Sequence, residues 1–266
     1  MSDPTATAHS SDRLIVFDIG LHHGDDTDFY LKKGYDVVAI EADPRHVEKA
    51  RVRFKDALES RRLEIVDKAI APEPGIVTFY QNLDKDDWGS IDPAFGTRDD
   101  TRYNELTVPA VTFDEIYARV TTGNGARRVH YIKCDIEGGD IYVLQQLGRC
   151  ANKPRYISVE SVKLEYLAWM LTIGCTAFKL ANQNLNWLTR LPKPAREGLD
   201  IEYAFVPGSS GPFGEELPGR WLSFREAAEL YLTLRRAGDM YPSISNAWYD
   251  FHGRFDRPGD SPVGPE

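Results

Sequence analysis

Short apolar runs alternate with mixed polar stretches along most of the chain. Leu14-Ile-Val-Phe17 is a continuous apolar run that closes on Asp18 and Gly20, the pattern of a parallel strand buried on both faces. Residues 25–33 read as a helix with acidic residues in its first turn and Gly34 as its stop. Residues 35–40 form a second buried strand. Asp43-Pro44 then offers an N-cap and a first-turn proline for a helix running to about Leu58. Residues 63–66 are a short third strand.

The middle of the chain departs from this alternation. Residues 76–80 follow the Pro74-Gly75 turn as an added strand, and a polar loop spans 84–102. Residues 107–113 are extended, and Asp114 caps a short helix to about Val120. Alternation then resumes, with strands at 131–135, 156–160 and 176–180 and helices at 139–147 and 164–173. Residues 182–219 are rich in Pro and Gly and predict a surface loop or lid. Residues 224–236 form a helix and 247–252 a last strand. Repeated strand–helix units imply an α/β fold with a mainly parallel sheet and helices on both faces. Ligands of such sheets bind beyond the carboxyl ends of the strands, at the point where strand order reverses.

Length and composition narrow this picture. With 266 residues and no linker-like stretch, a single domain over residues 14–256 is expected. The polar arm 1–13 and the tail 257–266 are expected to be disordered. A net charge of −9 argues against a nucleic-acid partner, which calls for a basic face. No apolar run is long enough to span a bilayer and no signal core precedes the first strand, so no membrane partner is expected. Cys134, Cys150 and Cys175 make no CxxC pair and predict a reduced, cytoplasmic setting, with all three as small core residues. Oligomeric state is not legible.

The chemistry-bearing residues cluster at strand ends. In Asp18-Ile-Gly20-Leu-His-His-Gly24 two glycines follow an acidic residue, letting backbone approach a ligand at a helix N-terminus. A dinucleotide fingerprint needs glycine where Asp18 stands, so Asp18 points instead to a ligand bearing an ammonium group. Glu41, about 20 positions on, is spaced to hold a ribose diol. Asp67-Lys68-Ala69 follows the third strand, where the base of a nucleoside would lie. In Lys133-Cys-Asp135-Ile-Glu137, alternation puts the three charged residues on one face. Two readings stand there: a reacting centre, with Lys133 as base if burial lowers its pKa, or a structural ion pair. Glu160 is a lesser candidate of the same kind. His22 and His23 sit in the glycine loop as possible bases. Trp88 and Ser90, in the polar loop, line a substrate pocket or pack as satellite core. No metal-ligand spacing is present, and no metal is assigned.

Together these motifs resemble the FkbM family of S-adenosylmethionine-dependent methyltransferases. The resemblance rests on Val16-Phe-Asp-Ile-Gly20 with Gly24 and Thr27, on Val37-Val-Ala-Ile-Glu41-Ala-Asp-Pro44, and on Val77-Thr-Phe-Tyr80 with Asn82. It extends through Trp88-Gly-Ser90, Ile132-Lys-Cys-Asp-Ile-Glu-Gly138 and Ser158-Val-Glu160, over roughly residues 14–181. Leu21-His22-His23 departs from the family's usual small or amide residues.

The resemblance implies a Rossmann-like class I methyltransferase fold with seven strands, the last antiparallel, and O-methylation of a small hydroxylated acceptor such as a sugar or polyketide-like compound. The expected cofactor contacts, for S-adenosylmethionine, are Asp18, Gly20, His22, Gly24, Asp25, Thr27, Glu41, Ala42, Asp67, Lys68, Ala69 and Asp135. The expected catalytic residues are Asp135, Lys133 and Glu137, with Trp88, Ser90 and Glu160 on the acceptor. Two rival readings are a non-catalytic module of the same fold and a nucleotide-dependent oxidoreductase.

Overall fold

The structure is a computed structural model describing residues 13–160, 163–241, 248–260 and 263. The chain begins with β1 (Ile15–Ile19), α1 (Asp25–Lys32), β2 (Asp36–Ile40), α2 (Pro44–Arg53), α3 (Lys55–Glu59) and β3 (Leu63–Val66). It continues with β4 (Ala69–Ile70), β5 (Gly75–Asn82), α4 (Pro93–Gly96), β6 (Tyr103–Val111) and α5 (Phe113–Thr121). There follow β7 (Val129–Cys134), α6 (Asp140–Arg149), β8 (Tyr156–Glu160), α7 (Leu164–Thr172), β9 (Ala177–Asn182), α8 (Phe224–Met240) and β10 (Tyr249–Arg254).

Seven strands make one sheet in the order β3-β2-β1-β7-β8-β10-β9. All run parallel except β10, which is antiparallel to both neighbours. This is the Rossmann-like order implied by the motifs, with its last strand reversed. β1, β2 and β7 are buried throughout, which is why apolar residues dominate their sequences and the charged ones among them, Asp18, Asp36 and Lys133, are paired. The order reverses between β1 and β7, and a cleft opens beyond their carboxyl ends. A second sheet, β4-β6-β5, stands beside it. Two-residue β4 carries no periodicity and is not among the strands that the sequence predicts.

One face of the large sheet is covered by α5, α6, α7 and α8, through Phe113, Leu144, Leu167 and Tyr231 among others. The other is covered by α1 and α2 and then by coil. There Phe213 stacks on Tyr131 at 4.2 Å and Phe205 packs on Phe29 at 4.9 Å. A buried Lys33–Glu216 ion pair of 2.9 Å ties the same coil to α1. The expected surface loop or lid over 182–219 divides: the stretch 209–217 is almost wholly buried cover for the sheet, much of the rest is exposed, and Gln183 and the turn at Val206–Ser209 reach the cleft.

Three local expectations also change. The second helix breaks at Phe54, whose ring turns inward beneath Gly24, and α3 restarts after it. The helix at 113 begins on buried Phe113 with Thr112 at its cap, while Asp114 binds Arg149 at 2.7 Å. The tail is not free from Arg257, because Asp260 Oδ1 accepts from Arg155 Nη2 at 2.7 Å. The arm 1–12 and most of 261–266 lie outside the described residues. Cys134 and Cys175 are buried and Cys150 is half-buried, all as free thiols. Among the described residues no helix is long and apolar enough to cross a membrane.

Candidate active site

The β1–α1 loop forms the floor of the cleft. Gly20 has φ +86°, and a Cβ there would lie 2.0 Å from the Asp135 carbonyl oxygen. Only glycine lets the β1 and β7 strand ends approach this closely. Gly24, at φ +82°, caps α1, with the Phe54 ring where a Cβ would go. Asp25 opens α1 and pairs with Arg53 at 2.9 Å.

Asp18 and Lys133 are register partners on adjacent strands. Asp18 is fully buried. Thr27 Oγ1 donates to its Oδ2 at 2.6 Å, and Lys133 Nζ lies 3.4 Å from its Oδ1. Nζ also donates to the Gly20 carbonyl at 2.7 Å and lies 4.0 Å from Asp26. Although desolvation opposes the charge on Lys133, Asp18, Asp135 and Asp26 together raise its pKa. The reading of Lys133 as a base is thus corrected: its proton is held, and the ion pair is structural. The ammonium group that Asp18 meets belongs to Lys133. Thr27 serves Asp18 and does not line the cleft.

On the next strand Glu41 is 8 % exposed and aimed into the cleft. Its Oε2 accepts from the His22 N–H and its Oε1 from the Asp43 N–H, both at 2.8 Å. A carboxylate oxygen has two lone pairs, so each keeps one for a ligand hydroxyl. Burial raises the Glu41 pKa, and these two N–H donors oppose the rise. His22 adopts φ +50° to present its N–H. Ala42, Lys68, Ala69, Ile70 and Phe79 continue this wall of the cleft. Asp67 does not join them. It points outward to Arg51 at 2.8 Å, which corrects its expected place beside a base.

Across from the glycine loop, Asp135, Glu137 and Glu160 bring carboxylate oxygens within 4.8 Å of one another. Glu137 sits at φ +52° and takes a bidentate pair from Arg98 at 2.7 and 3.1 Å. Burial pushes its pKa up to about 7, with Arg98 opposing and Asp135 adding to the rise. Glu160 goes to about 10, driven by burial and then by Asp135 and Glu137. It is a neutral acid at ordinary pH. Trp88 lines the cleft and carries the Arg98 guanidinium 3.9 Å above its ring. Ser90 also lines it, but its hydroxyl donates to the Glu137 carbonyl at 2.8 Å and accepts from the Asp92 N–H at 2.9 Å. Through these bonds Ser90 holds Glu137 in place at the cleft wall.

Sequence reading missed several groups here. Asp26 lines the cleft, accepts from the Ser210 N–H at 3.0 Å, and is raised to about 6 by burial. Its position inside α1, and a partner 184 residues away, hide it. Asp250 is buried opposite Glu160 and accepts from Gln183 at 2.7 Å. Arg98 had no signal beyond its charge.

The model of the methyltransferase FkbM domain matches residues 18–193, well over half of the sequence. The chain belongs to the FkbM methyltransferase family. Its sheet is that of the class I Rossmann-like methyltransferases. Among solved structures, methyltransferase FkbM from Methylobacillus flagellatus KT is 17% identical with a TM-score of 0.37. That match covers 59% of this chain and 35% of the other, so this chain spans about a third of that relative. A SAM-dependent methyltransferase from Geobacter sulfurreducens, in complex with S-adenosyl-L-homocysteine, is 11% identical with a TM-score of 0.39, covering 92% and 85%. A SAM-dependent O-methyltransferase from Thermotoga maritima is 9% identical with a TM-score of 0.37, covering 92% and 61%. No curated protein matches the sequence.

S-adenosylmethionine is the cofactor that goes with the family, and the cleft of this FkbM member fits it. Glu41 is a buried carboxylate with open lone pairs toward the cleft, suited to a ribose diol. Gly20 lines the cleft at the end of β1. Ala42, Ala69, Ile70 and Phe79 supply apolar surface for a base. Family membership also sets aside the nucleotide-dependent oxidoreductase.

Proposed function

We propose that this chain is an O-methyltransferase acting on a small hydroxylated molecule such as a sugar or polyketide-like compound. The observation that carries the reading is the Asp135–Glu137–Glu160 cluster, facing the glycine loop in a cleft of about 530 Å³. That volume is of the size used for small ligands, and convergent carboxyl groups suit a polyol.

When bound, the cofactor supplies an electrophilic methyl group. The Glu41 carboxylate holds the ribose. Asp26 or Asp135, both facing the cleft near Gly20, answers the ammonium group in place of Asp18. Asp135 accepts a hydrogen bond from a second, neighbouring hydroxyl of the acceptor and so turns the reacting oxygen toward the cofactor. Glu160, being protonated, donates to a neighbouring oxygen of the acceptor. Glu137, with its pKa near neutrality, takes the hydroxyl proton. Most of the rate comes from orientation, with the base adding less.

The test is a panel of sugars and polyketide-like alcohols with S-adenosylmethionine, the product read by NMR. The reading expects a methyl group on oxygen, and a loss of about 100-fold in kcat for Asp135→Asn. A methyl on nitrogen or carbon, or full activity in that variant, would sink it.

A further inference from the structure

Three of the chain's six histidines converge on one aspartate at the rim of the cleft. His22 and His23 come from the β1–α1 loop, His46 from the first turn of α2, and Asp86 from the segment after β5. The rings of His22 and His23 stack 3.8 Å apart, and the His46 ring meets them edge-on at 4.7 and 5.4 Å. All three Nε2 atoms face Asp86. His22 Nε2 lies 3.4 Å from Oδ1, His23 Nε2 lies 2.9 Å from Oδ2, and His46 Nε2 lies 3.1 Å from the backbone carbonyl. One nitrogen from each ring falls within 4.8 Å of the other two.

Hydrogen bonding leaves this group incomplete. His46 is only 3 % exposed, yet its Nδ1 has no partner among the described residues. The Nε2 of His22 is likewise buried, with only the long 3.4 Å contact to Asp86 Oδ1. Orphaned buried nitrogens are uncommon and call for an explanation such as an ion. Three imidazoles and one carboxylate are the donor set of a borderline-soft divalent ion, whereas Mg²⁺ and Ca²⁺ take oxygen ligands.

We propose that His22, His23, His46 and Asp86 form a binding site for a zinc-class divalent cation. It lies on the ribose side of the cleft, since the His22 N–H holds Glu41. With metal–nitrogen bonds of about 2.0–2.1 Å, tetrahedral ligand atoms stand roughly 3.3 Å apart. Side-chain rotation of half-exposed His23 and Asp86 closes the difference. The bound ion clasps the segment around Asp86 to α2 and to the glycine loop. The donors come from positions 22, 23, 46 and 86, so no local spacing announced them. The inference does not depend on the identity of the methyl acceptor.

Cobalt(II) is a suitable probe because its visible spectrum reports coordination geometry. The metal-free full-length protein is titrated with CoCl₂, and then with ZnCl₂ by calorimetry. One equivalent of Co²⁺ should give the intense bands of a four-coordinate ion, and Zn²⁺ should displace it. His23→Asn and Asp86→Asn, at half-exposed side chains, should each weaken Zn²⁺ binding by at least about tenfold, and the double variant should lose the bands, with circular dichroism confirming the fold. Glu137→Gln, in the carboxylate cluster, should leave zinc affinity unchanged. No binding by folded wild type, unchanged affinity in the double variant, or loss of binding in Glu137→Gln would overturn the proposal.

Discussion

Lys133 Nζ stands 3.4 Å from Asp18 Oδ1, inside the sheet, where β7 and β1 run side by side. Both side chains are buried, and Nζ also holds the Gly20 carbonyl. The pair therefore fixes the glycine loop from beneath. Removing one partner leaves a charge buried alone. Lys133→Met is expected to cost roughly 3–5 kcal/mol of stability, measured by urea unfolding. If Lys133 served only as a base at the cleft surface, activity would fall and stability would hardly change.

Phe213 and Tyr131 are parallel rings 4.2 Å apart, joining the coil after β9 to the face of the sheet. Phe213 is 1 % exposed. Phe213→Ala should cost about 3–5 kcal/mol, the usual range for truncating a buried phenyl ring. Thermal unfolding distinguishes a structural cover from a mobile lid. A change below about 1 kcal/mol would restore the lid.

Glu160 holds a proton in the folded chain up to about pH 10, whereas an ordinary glutamate releases it near 4.5. The folded state therefore binds more protons than the unfolded state across that window. Stability from this group is complete below about pH 4.5 and is lost as pH rises toward 10. Glu160→Gln removes that loss. Its melting temperature should exceed that of wild type by a margin that widens from about pH 5 to about pH 9, reaching several degrees, at about 2–4 °C per kcal/mol. A margin that stays constant with pH would contradict the assignment.

Much of the first half of the fold was legible because its signals are local. Ile15, Val16 and Phe17 are buried and read as an unbroken apolar run. Gly20 and Glu41 were legible for the same reason, since the spacing between two neighbouring parallel strand ends is a property of one strand–helix–strand unit. Roles that depend on distant partners were not. Asp67 turns outward to Arg51, and no pattern around it distinguishes that from turning inward. Asp250 reaches the site only because β10 enters between β8 and β9, a pairing set by tertiary packing. The coil carrying Phe213 has no period, so its burial is invisible until Tyr131 is opposite it.

The central claim is that the cleft above Gly20 holds S-adenosylmethionine with Glu41 on the ribose. Calorimetry with S-adenosylhomocysteine tests it most directly, on wild type and on Glu41→Ala with the fold of each checked by circular dichroism. Wild type should bind one equivalent, and Glu41→Ala should bind about 10- to 100-fold more weakly, the loss expected for two hydrogen bonds worth about 1–1.5 kcal/mol each. No binding by folded wild type, or equal affinity in the two proteins, would contradict it.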